Sequence, residues 1–217
     1  IYQRTHTPLA IAPKRVQAVK QLIDHYSLDI IISDDGLQHY ALQRKIEIAV
    51  IDGQNGFGNG WWLPAGPMRE TAKRLKSVDV IVINGKLHQS IALPNNIPAF
   101  KMRLQPAKAI NVLTGEQCEI KQLKHIQALA GIGYPERFFT MLQSMGIYIE
   151  KQYPFPDHHA FTRQQLIPLA DETQVLLMTE KDAVKCHTFA QTNWWYVPVD
   201  AQLDEQFIDN ICKKLNS

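Results

Sequence analysis

The sequence predicts an α/β fold in which a parallel sheet with helices on its faces is followed by a second, smaller α/β/α domain. Short apolar runs alternate with segments of helical periodicity along the chain, and strands joined through helices favour a parallel sheet. This pattern breaks at residues 86–98, which contain two prolines and several polar turn residues, and then resumes. The break predicts a junction between two domains.

The first half of the chain contains four predicted strands and two predicted helices. An apolar run at 8–12 predicts a strand, and the following helix begins at Pro13, where proline is favoured as the first helical residue. A continuous apolar run at 29–33 predicts a buried parallel strand. The remaining elements of this half are a strand at 46–52, a short helix at 68–77 and a strand at 78–84.

The second half is predicted to begin with a linker. Apolar runs at 99–104 and 109–113 are separated by Gln-Pro-Ala-Lys, which predicts a hairpin. We therefore expect residues 1–98 to form the first domain, 99–117 a two-stranded linker and 118–217 the second domain. In the second domain we expect strands at 126–130, 147–153, 174–178 and 194–199. We expect three helices there: one at 135–145, one that begins at the capping box of Thr162 and Gln165, and one at 204–215.

Composition is that of an ordinary globular protein, with 45% hydrophobic and 20% charged residues. A net charge of +2 and scattered basic residues do not favour a nucleic-acid partner. The three cysteines are far apart and lack a C-x-x-C pairing, as expected for reduced thiols in a cytosolic protein. No apolar stretch is long enough for a transmembrane helix, and no signal peptide is found.

The most informative motif is Asp34-Asp35-Gly36, which directly follows the apolar run at 29–33. Ligands of open α/β sheets bind outside the carboxyl ends of the strands. Two adjacent carboxylates there can hold Mg²⁺, directly or through water, and the metal can hold a nucleotide's phosphates. This Walker-B chemistry predicts a phosphoryl-transfer enzyme. The alternative is a turn or helix cap, because Asp-Asp-Gly is also good turn chemistry.

The phosphate-binding half of such machinery is missing from the sequence. Gly-x-x-x-x-Gly-Lys-Ser/Thr, whose backbone amides and lysine cradle the phosphates, occurs nowhere in the 217 residues. The chain also begins at Ile1 rather than at methionine. We therefore expect it to be the C-terminal piece of a longer protein.

A glycine-rich segment at 53–66 follows the strand predicted at 46–52 and holds five of the 11 glycines. It does not match G-x-G-x-x-G, so a dinucleotide fingerprint is rejected. Its two tryptophans argue against a bland flexible loop, because large rings need burial or a ligand to pack on. Arg69 and Glu70, just beyond it, are positioned to reach phosphate or metal, or else to form a surface pair.

Two further motifs follow predicted strands in the second half. In Asp157-His158-His159, an aspartate can orient an imidazole for proton transfer; a metal site and a purely structural role are the alternatives. In Thr179-Glu-Lys-Asp182, Lys181 is placed to meet phosphate, with helix capping by Thr179 or Asp182 as the competing interpretation. The Gly131-Ile-Gly133 turn is interpreted as tight packing rather than as an anion site.

Taken together, these segments resemble the tetraacyldisaccharide 4′-kinase (lipid A 4′-kinase) family. Asp-Asp-Gly-Leu-Gln-His and Gly-Phe-Gly-Asn-Gly are long and unusual motifs, and the likeness covers nearly the whole chain. The segments that carry it are 33–40, 52–60, 63–70, 84–85, 130–138, 155–159 and 179–185.

The resemblance implies an activity, cofactors and a location. The implied reaction is transfer of the γ-phosphoryl group of ATP to the 4′-hydroxyl of an acylated glucosamine disaccharide in lipid A biosynthesis. The implied cofactors are ATP and Mg²⁺, and the implied place of action is the cytoplasmic face of the bacterial inner membrane, as a peripheral protein. The implied fold is two α/β/α domains joined by a two-stranded linker, of which the first has a P-loop-kinase-like parallel sheet that is incomplete in these residues.

The resemblance also assigns roles to individual residues. Asp34 and Asp35 match the Walker-B metal ligands, and Gln38 and Glu70 match positions that line the active site. His158, with His159 as the second choice, matches a histidine that cooperates with a catalytic aspartate. The catalytic set is therefore expected to be His158 and Asp35, the metal ligands Asp34 and Asp35, and the cofactor-binding set Gln38, Arg69, Glu70 and Lys181.

The family's P-loop, catalytic aspartate and membrane-associating segment all precede the position that matches Ile1. We therefore expect these 217 residues alone to be soluble and to lack kinase activity. Two alternatives stay open. One is a metal-dependent phosphoesterase that uses Asp34, Asp35, Asp157 and His158; the other is a non-catalytic module that binds a nucleotide or an acyl chain.

Overall fold

The computed structural model describes residues 1–87 and 91–216, so residues 88–90 of the predicted break lie outside the described residues. The chain divides into two compact units, Ile1–Arg103 with Leu203–Ser217 and Leu104–Gln202. The strands are β1 (Ile48–Asp52), β2 (Val80–Asn84), β3 (Ala99–Pro106), β4 (Ala109–Asn111), β5 (Gln117–Cys118), β6 (Ile126–Ala130), β7 (Ile149–Pro154), β8 (Val175–Thr179), β9 (Trp194–Val197) and β10 (Val199–Leu203). The helices are α1 (Tyr2–Thr5), α2 (Arg15–His25), α3 (Pro135–Ser144), α4 (Arg163–Leu166), α5 (Glu180–Cys186) and α6 (Glu205–Asn216).

A four-stranded sheet has the order β1-β2-β3-β10. β1 and β2 lie in the first unit, and the chain passes from one unit to the other within β3 and within β10. β2 pairs in parallel with both β1 and β3. β2 is buried on both faces because one face packs on Leu75 and Val78 and the other on Phe207 of α6. A near-continuous apolar sequence is what such a central parallel strand requires.

The second unit is built on a six-stranded sheet in the order β5-β4-β9-β8-β6-β7. Four neighbouring strands, β7, β6, β8 and β9, are parallel, and β4 and β5 add an antiparallel edge. Phe138, Phe139 and Leu142 of α3 cover one face. Trp194 and Cys186 belong to the core cluster on the other face. This parallel α/β architecture confirms the predicted fold class.

Most predicted elements of the second unit are confirmed to within a few residues. The strand predicted at 126–130 is β6, and the helix predicted at 135–145 is α3. The capping box is present, because Thr162 Oγ1 accepts from Gln165 N at 3.3 Å and Gln165 Oε1 accepts from Thr162 N at 3.1 Å. Here the hydrophobic pattern and the local capping chemistry agree with the tertiary structure.

The strand predicted at 29–33 does not form. Residues 26–47 contain neither helix nor strand, and Ile32 is 91% exposed. A strand needs a neighbouring ladder to pair with, and no described strand lies alongside this run. The strand predicted at 8–12 is likewise absent, and the helix predicted at 68–77 is a shorter 3₁₀ segment, Ala72–Ser77.

The predicted hairpin linker does not form either. The strand that begins at Ala99 lies beside β2 and β10, whereas the strand that begins at Ala109 pairs with β5 and β9 in the other sheet. The strand predicted at 194–199 is divided at Pro198, which has no N–H to continue the ladder. Its second part, β10, joins the first sheet, so α6 belongs to the first unit rather than to the second domain expected at 118–217.

Among the described residues, no helix combines the length and apolar character that crossing a bilayer would require.

Candidate active site

The Asp34–Asp35 pair lies in a turn that contains no regular secondary structure. Asp35 has a φ of 49°, a left-handed conformation that aspartate tolerates better than most residues. A Cβ at Gly36 would lie 2.8 Å from Ser33 Oγ, so the chain closes tightly after Asp35. The Arg15 guanidinium donates to the backbone carbonyl of Asp34 at 3.0 Å. The turn interpretation is therefore correct for the backbone, and both carboxylates remain on its surface.

The two carboxylates differ in their contacts. Asp35 pairs with Arg69, whose Nη1 lies 2.9 and 2.8 Å from its two carboxylate oxygens. Among residues 1–87 and 91–216, the Asp34 carboxylate makes no hydrogen bond or ion pair. Both side chains of the Asp35–Arg69 pair are more than half exposed, so a cation or a phosphate can reach them. Arg69 therefore faces the Asp-Asp turn rather than Glu70.

Gln38 and Glu70, separated by 31 positions, are directly hydrogen-bonded. Gln38 Nε2 donates to Glu70 Oε1 at 2.8 Å, and Tyr40 donates from its hydroxyl to Glu70 Oε2 at 2.5 Å. The Tyr40 hydrogen bond is the main cause that lowers the pKa of Glu70, with Gln38 and Arg74 acting in the same direction. The same bond raises the pKa of Tyr40. Glu70 is thus an acceptor held ionised by its neighbours.

Sequence patterns did not identify four polar residues around this acceptor. They are Tyr40, Arg44, Glu47 and Arg74, and the last three are half-buried or less exposed. Their contacts combine short separations, as in Arg44–Glu47 and Glu70–Arg74, with separations of 30 and 27 positions, as in Tyr40–Glu70 and Glu47–Arg74. The only local signal is the charge density that follows the Asp-Asp motif.

The glycine-rich segment after β1 is an ordered succession of turns. Asp52 Oδ1 accepts from the amides of Gln54 and Asn55 at 2.9 and 3.1 Å. Trp61 and Trp62 remain 67% and 56% exposed. We expected rings of this size to be buried or to pack on a ligand, but the described residues do not bury them.

In the second unit, Asp157 is the centre of the Asp-His-His segment. Lys181 Nζ donates to Asp157 Oδ1 at 2.7 Å, and the His158 backbone amide donates to the same oxygen at 2.9 Å. The Lys181 contact is the main cause that lowers the pKa of Asp157. The His158 ring is 80% exposed, with Nε2 3.6 Å from Asp157 Oδ2. Lys181, predicted to meet phosphate, is therefore paired with a carboxylate in this structure.

His159 has a different environment from His158. Its ring lies 4.9 Å from Phe155 and 5.0 Å from Phe161, centroid to centroid. Nε2 is 3.4 Å from Gln165 Oε1. These contacts support the structural interpretation for His159 and leave His158 as the exposed imidazole of the segment.

A buried carboxylate lies behind this segment. Asp182 is 0% exposed. Its Oδ2 accepts from the Gly131 amide at 2.8 Å and from the Thr179 hydroxyl at 2.7 Å, and its Oδ1 pairs with Lys185 at 2.9 Å. Thr179 Oγ1 also caps α5 by accepting from Asp182 N. The Gly131 turn thus binds a carboxylate of its own chain, in agreement with a packing role.

The donor set of the Asp34–Asp35 turn fits Mg²⁺. Carboxylate oxygens are hard ligands, and magnesium typically takes one or two of them, with waters and phosphate oxygens filling the remaining positions. Within the described part of the chain, no group of three or more His, Cys, Asp or Glu is arranged to hold a metal ion. A transition-metal site of the kind that a phosphoesterase needs therefore finds no support there.

Comparison with known proteins gives two matches. A family model described as LpxK, tetraacyldisaccharide-1-P 4′-kinase, matches residues 1–216. Among solved structures, LpxK from Aquifex aeolicus, described as an "apo" form in complex with ATP, matches with a TM-score of 0.75 and 24% sequence identity. The match covers 94% of this chain and 63% of that one, so the chain spans less than two thirds of the relative's length.

Proposed function

Because the chain belongs to the tetraacyldisaccharide-1-P 4′-kinase family, we propose that it takes part in ATP-dependent phosphorylation of the 4′-hydroxyl of tetraacyldisaccharide 1-phosphate. The protein acts as a peripheral enzyme at the cytoplasmic face of the inner membrane, where this acylated acceptor resides. The observation that carries the proposal is the Asp-Asp turn, where the Asp34 carboxylate has no partner among the described residues and Arg69 pairs with Asp35. Carboxylates and an arginine side by side suit a nucleotide's metal and phosphates.

In this proposal Asp34 and Asp35 hold Mg²⁺. The bound metal neutralises the charge that develops on the transferring phosphoryl group. Arg69, whose guanidinium is permanently charged, exchanges its contact with Asp35 for a phosphate oxygen when nucleotide binds. Gln38 and Glu70 form one rigid pair through their 2.8 Å hydrogen bond, which fixes the polar wall beside the carboxylates.

His158 contributes proton transfer from the acceptor hydroxyl. Its exposure leaves the imidazole accessible, and the Asp157 carboxylate 3.6 Å from Nε2 is placed to orient the ring for accepting a proton. Lys181 keeps Asp157 ionised and in place. His158 is thus the catalytic group of the second unit, and Lys181 supports it through Asp157.

The phosphate cradle of a P-loop kinase does not occur in the 217 residues. Without the backbone amides and lysine of that cradle, the β- and γ-phosphates are not positioned for transfer. The isolated chain is therefore inactive, and activity requires a polypeptide that supplies the cradle.

The test is a transfer assay with γ-labelled ATP, Mg²⁺ and tetraacyldisaccharide 1-phosphate. We expect 4′-phosphorylated lipid from the product of the complete reading frame that encodes these residues, and none from the 217 residues alone. Nucleotide binding without any transfer by the complete product would favour a non-catalytic module. Phosphate release without nucleotide, strictly dependent on Mn²⁺, would favour a phosphoesterase.

A further inference from the structure

Residues 26–47 carry the Asp-Asp turn without any helix or strand of their own, so other contacts must fix it. Backbone groups of this segment bond each other only at close range, as in the His39 amide to the Gly36 carbonyl at 3.0 Å. Such short turns hold one another but do not fix the segment on the sheet. The Glu47 backbone is bonded to Asp79 and Val80 at the end of the segment, and the contacts that tie the Asp-Asp turn to that end come from side chains.

Arg44 makes the greatest number of these contacts. Its Nη1 donates to the Gly36 carbonyl at 2.5 Å and its Nη2 to the Leu37 carbonyl at 3.1 Å. Its Nε lies 2.5 Å from Glu47 Oε1, and its guanidinium carbon lies 5.6 Å from the centre of the Tyr40 ring. The two carbonyls are those of the two residues that follow Asp35. One side chain therefore holds the backbone directly after the metal ligands.

Glu47 connects this arginine to the sheet. The Glu47 amide donates to Asp79 Oδ2 at 2.9 Å, and the Glu47 carbonyl accepts from the amides of Asp79 and Val80 at 3.0 and 3.2 Å. Val80 begins β2 and is fully buried. The position of the Glu47 carboxylate is thus set by the core of the first unit.

Arg74 forms a second connection from the same glutamate. Its Nη2 lies 2.6 and 2.7 Å from the two Glu47 oxygens, and its Nε is 3.4 Å from Glu70 Oε2, an ion-pair contact without the alignment of a hydrogen bond. The four charged side chains, Arg44, Glu47, Glu70 and Arg74, are between 13% and 22% exposed. Partial burial weakens screening, so these pairs are stronger than surface ion pairs.

We propose that Arg44 is a positioning residue for the Asp34–Asp35 metal site, which it fixes on the sheet through the Gly36 and Leu37 carbonyls and Glu47. The proposal rests on the proposed function, since it assumes that these carboxylates bind a divalent cation. Arg44 touches neither the metal nor the nucleotide. It acts through the backbone that carries the ligands, as residues behind the ligands of a metal site commonly do.

Arginine is specifically required for this role. Its guanidinium presents five donors in a rigid fork, whereas lysine is a compact point charge with rotating donors. A lysine at position 44 keeps the charge beside Glu47 but cannot span both carbonyls and the carboxylate. The variant R44K therefore separates fork geometry from net charge, and R44A removes both.

The experiment compares R44A and R44K with R103A in the product of the complete reading frame. Arg103 is an exposed arginine on β3 whose side chain makes no hydrogen bond or ion pair among the described residues, so R103A is the matched control. Two readouts need no lipid: the affinity for Mn²⁺ alone, measured by electron paramagnetic resonance, and hydrogen exchange of the His39 amide. Thermal unfolding of each variant reports any general loss of stability.

We expect R44A to weaken Mn²⁺ binding by about 10-fold, to speed exchange at His39, and to raise the Mg²⁺ concentration for half-maximal transfer similarly. In all three measurements we expect R44K to give values between those of R44A and the native protein, and R103A to give the native values. A purely structural arginine would lower the melting temperature without raising the metal requirement of the folded protein. That result overturns the proposal, as does R44K with native Mn²⁺ affinity.

Failure of the proposed function looks different from failure of the Arg44 proposal. A native protein that binds Mn²⁺ but phosphorylates no lipid contradicts the kinase function, while the affinities of the variants still decide the role of Arg44. A native protein that binds no Mn²⁺ at all overturns the Arg44 proposal. Should R44A not fold, the comparison of R44K with R103K decides it by the same readouts.

Discussion

Two loops carry the candidate catalytic groups, residues 34–40 in the first unit and 155–159 in the second. Each contains a non-glycine residue in the left-handed region, Asp35 with φ 49° and His158 with φ 58°. Each also pairs an aspartate with an exposed cation, Arg69 in one and Lys181 in the other. The two loops differ in what supports them.

The loop at 155–159 follows β7 directly, and its backbone is tied to the sheet by the Phe155 amide, which donates to the Ala130 carbonyl at 2.8 Å. Phe155 and Phe161 pack there, and the buried Asp182 holds the neighbouring turn. The loop at 34–40 has no adjoining strand and depends on half-buried charges. Mutating the contacts that hold the loop at 155–159 should therefore lower mainly the free energy of unfolding. Mutating the charges that hold the loop at 34–40 should lower mainly the affinity for metal.

The largest expected effect on stability is at Asp182. Asp182→Ala leaves the Gly131 amide and the Thr179 hydroxyl without their acceptor and removes the negative charge beside the Lys185 ammonium. Losing one member of a buried pair costs about 3 kcal/mol of unfolding free energy. The double variant Asp182→Ala/Lys185→Met should lose less, because no uncompensated charge remains. Urea unfolding measures both, with Glu172→Ala, an exposed carboxylate, as control. Equal losses in the single and double variants would contradict a buried charge pair.

The largest effect on activity without loss of stability is expected at His158. Because the ring is 80% exposed, His158→Ala should change the unfolding free energy by no more than about 0.5 kcal/mol. Loss of a general base should slow phosphoryl transfer by about 100-fold. The assay uses the complete reading-frame product, with the exposed His187→Ala as control. A variant with the native rate would remove His158 from the catalytic set.

A smaller effect concerns the coupled titration of Tyr40 and Glu70. Glu70→Gln removes the hydrogen-bonded carboxylate that raises the pKa of Tyr40, so that pKa should fall toward its ordinary value. In the native protein the pKa of Glu70 is lowered. Its stabilising contribution is therefore complete above the ordinary glutamate pKa and is lost as pH falls through the lowered value. NMR titration of labelled tyrosine measures the shift, and an unchanged Tyr40 pKa would contradict the 2.5 Å contact.

The smallest effect is expected at Lys181. Lys181→Met removes the main cause of the lowered pKa of Asp157, so that pKa should rise toward the ordinary aspartate value. The stabilising contribution of the native pair is complete above the ordinary aspartate pKa and is lost as pH falls through the lowered pKa. The stability of the variant should therefore differ from that of the native protein mainly at pH values above the acid range. Carboxyl NMR titration reports the shift. If the Asp157 pKa does not move, the Lys181–Asp157 pair is not formed in solution.

The same comparison explains which elements the sequence could predict. The apolar runs at 126–130 and 29–33 have the same signature, yet only the first is a strand, because β7 and β8 lie on either side of it. Local periodicity records burial preference but does not say whether a pairing neighbour exists. Similarly, Pro198 divides one predicted strand into two that belong to different sheets, which the apolar pattern does not reveal.

The candidate site divides in the same manner. Asp34, Asp35 and Arg69 stand in recognisable motifs, and the structure brings them together. Arg44, Glu47 and Arg74 belong to no motif, because the network closes only where folding brings Arg74 beside Glu47, 27 positions earlier in the chain. Tertiary charge networks of this kind leave little trace in a single sequence, whereas adjacent carboxylates at the end of an apolar run leave a clear one.

The central claim is that Asp34 and Asp35 hold the divalent cation of a phosphoryl-transfer site. The most direct measurement is Mn²⁺ binding by the complete reading-frame product and by its Asp34→Asn/Asp35→Asn variant, which keeps the size of both side chains while removing their charge. We expect the variant to lose at least about 100-fold in affinity, while its melting temperature stays near that of the native protein because both side chains are exposed. Equal Mn²⁺ affinity in the two proteins would contradict the account.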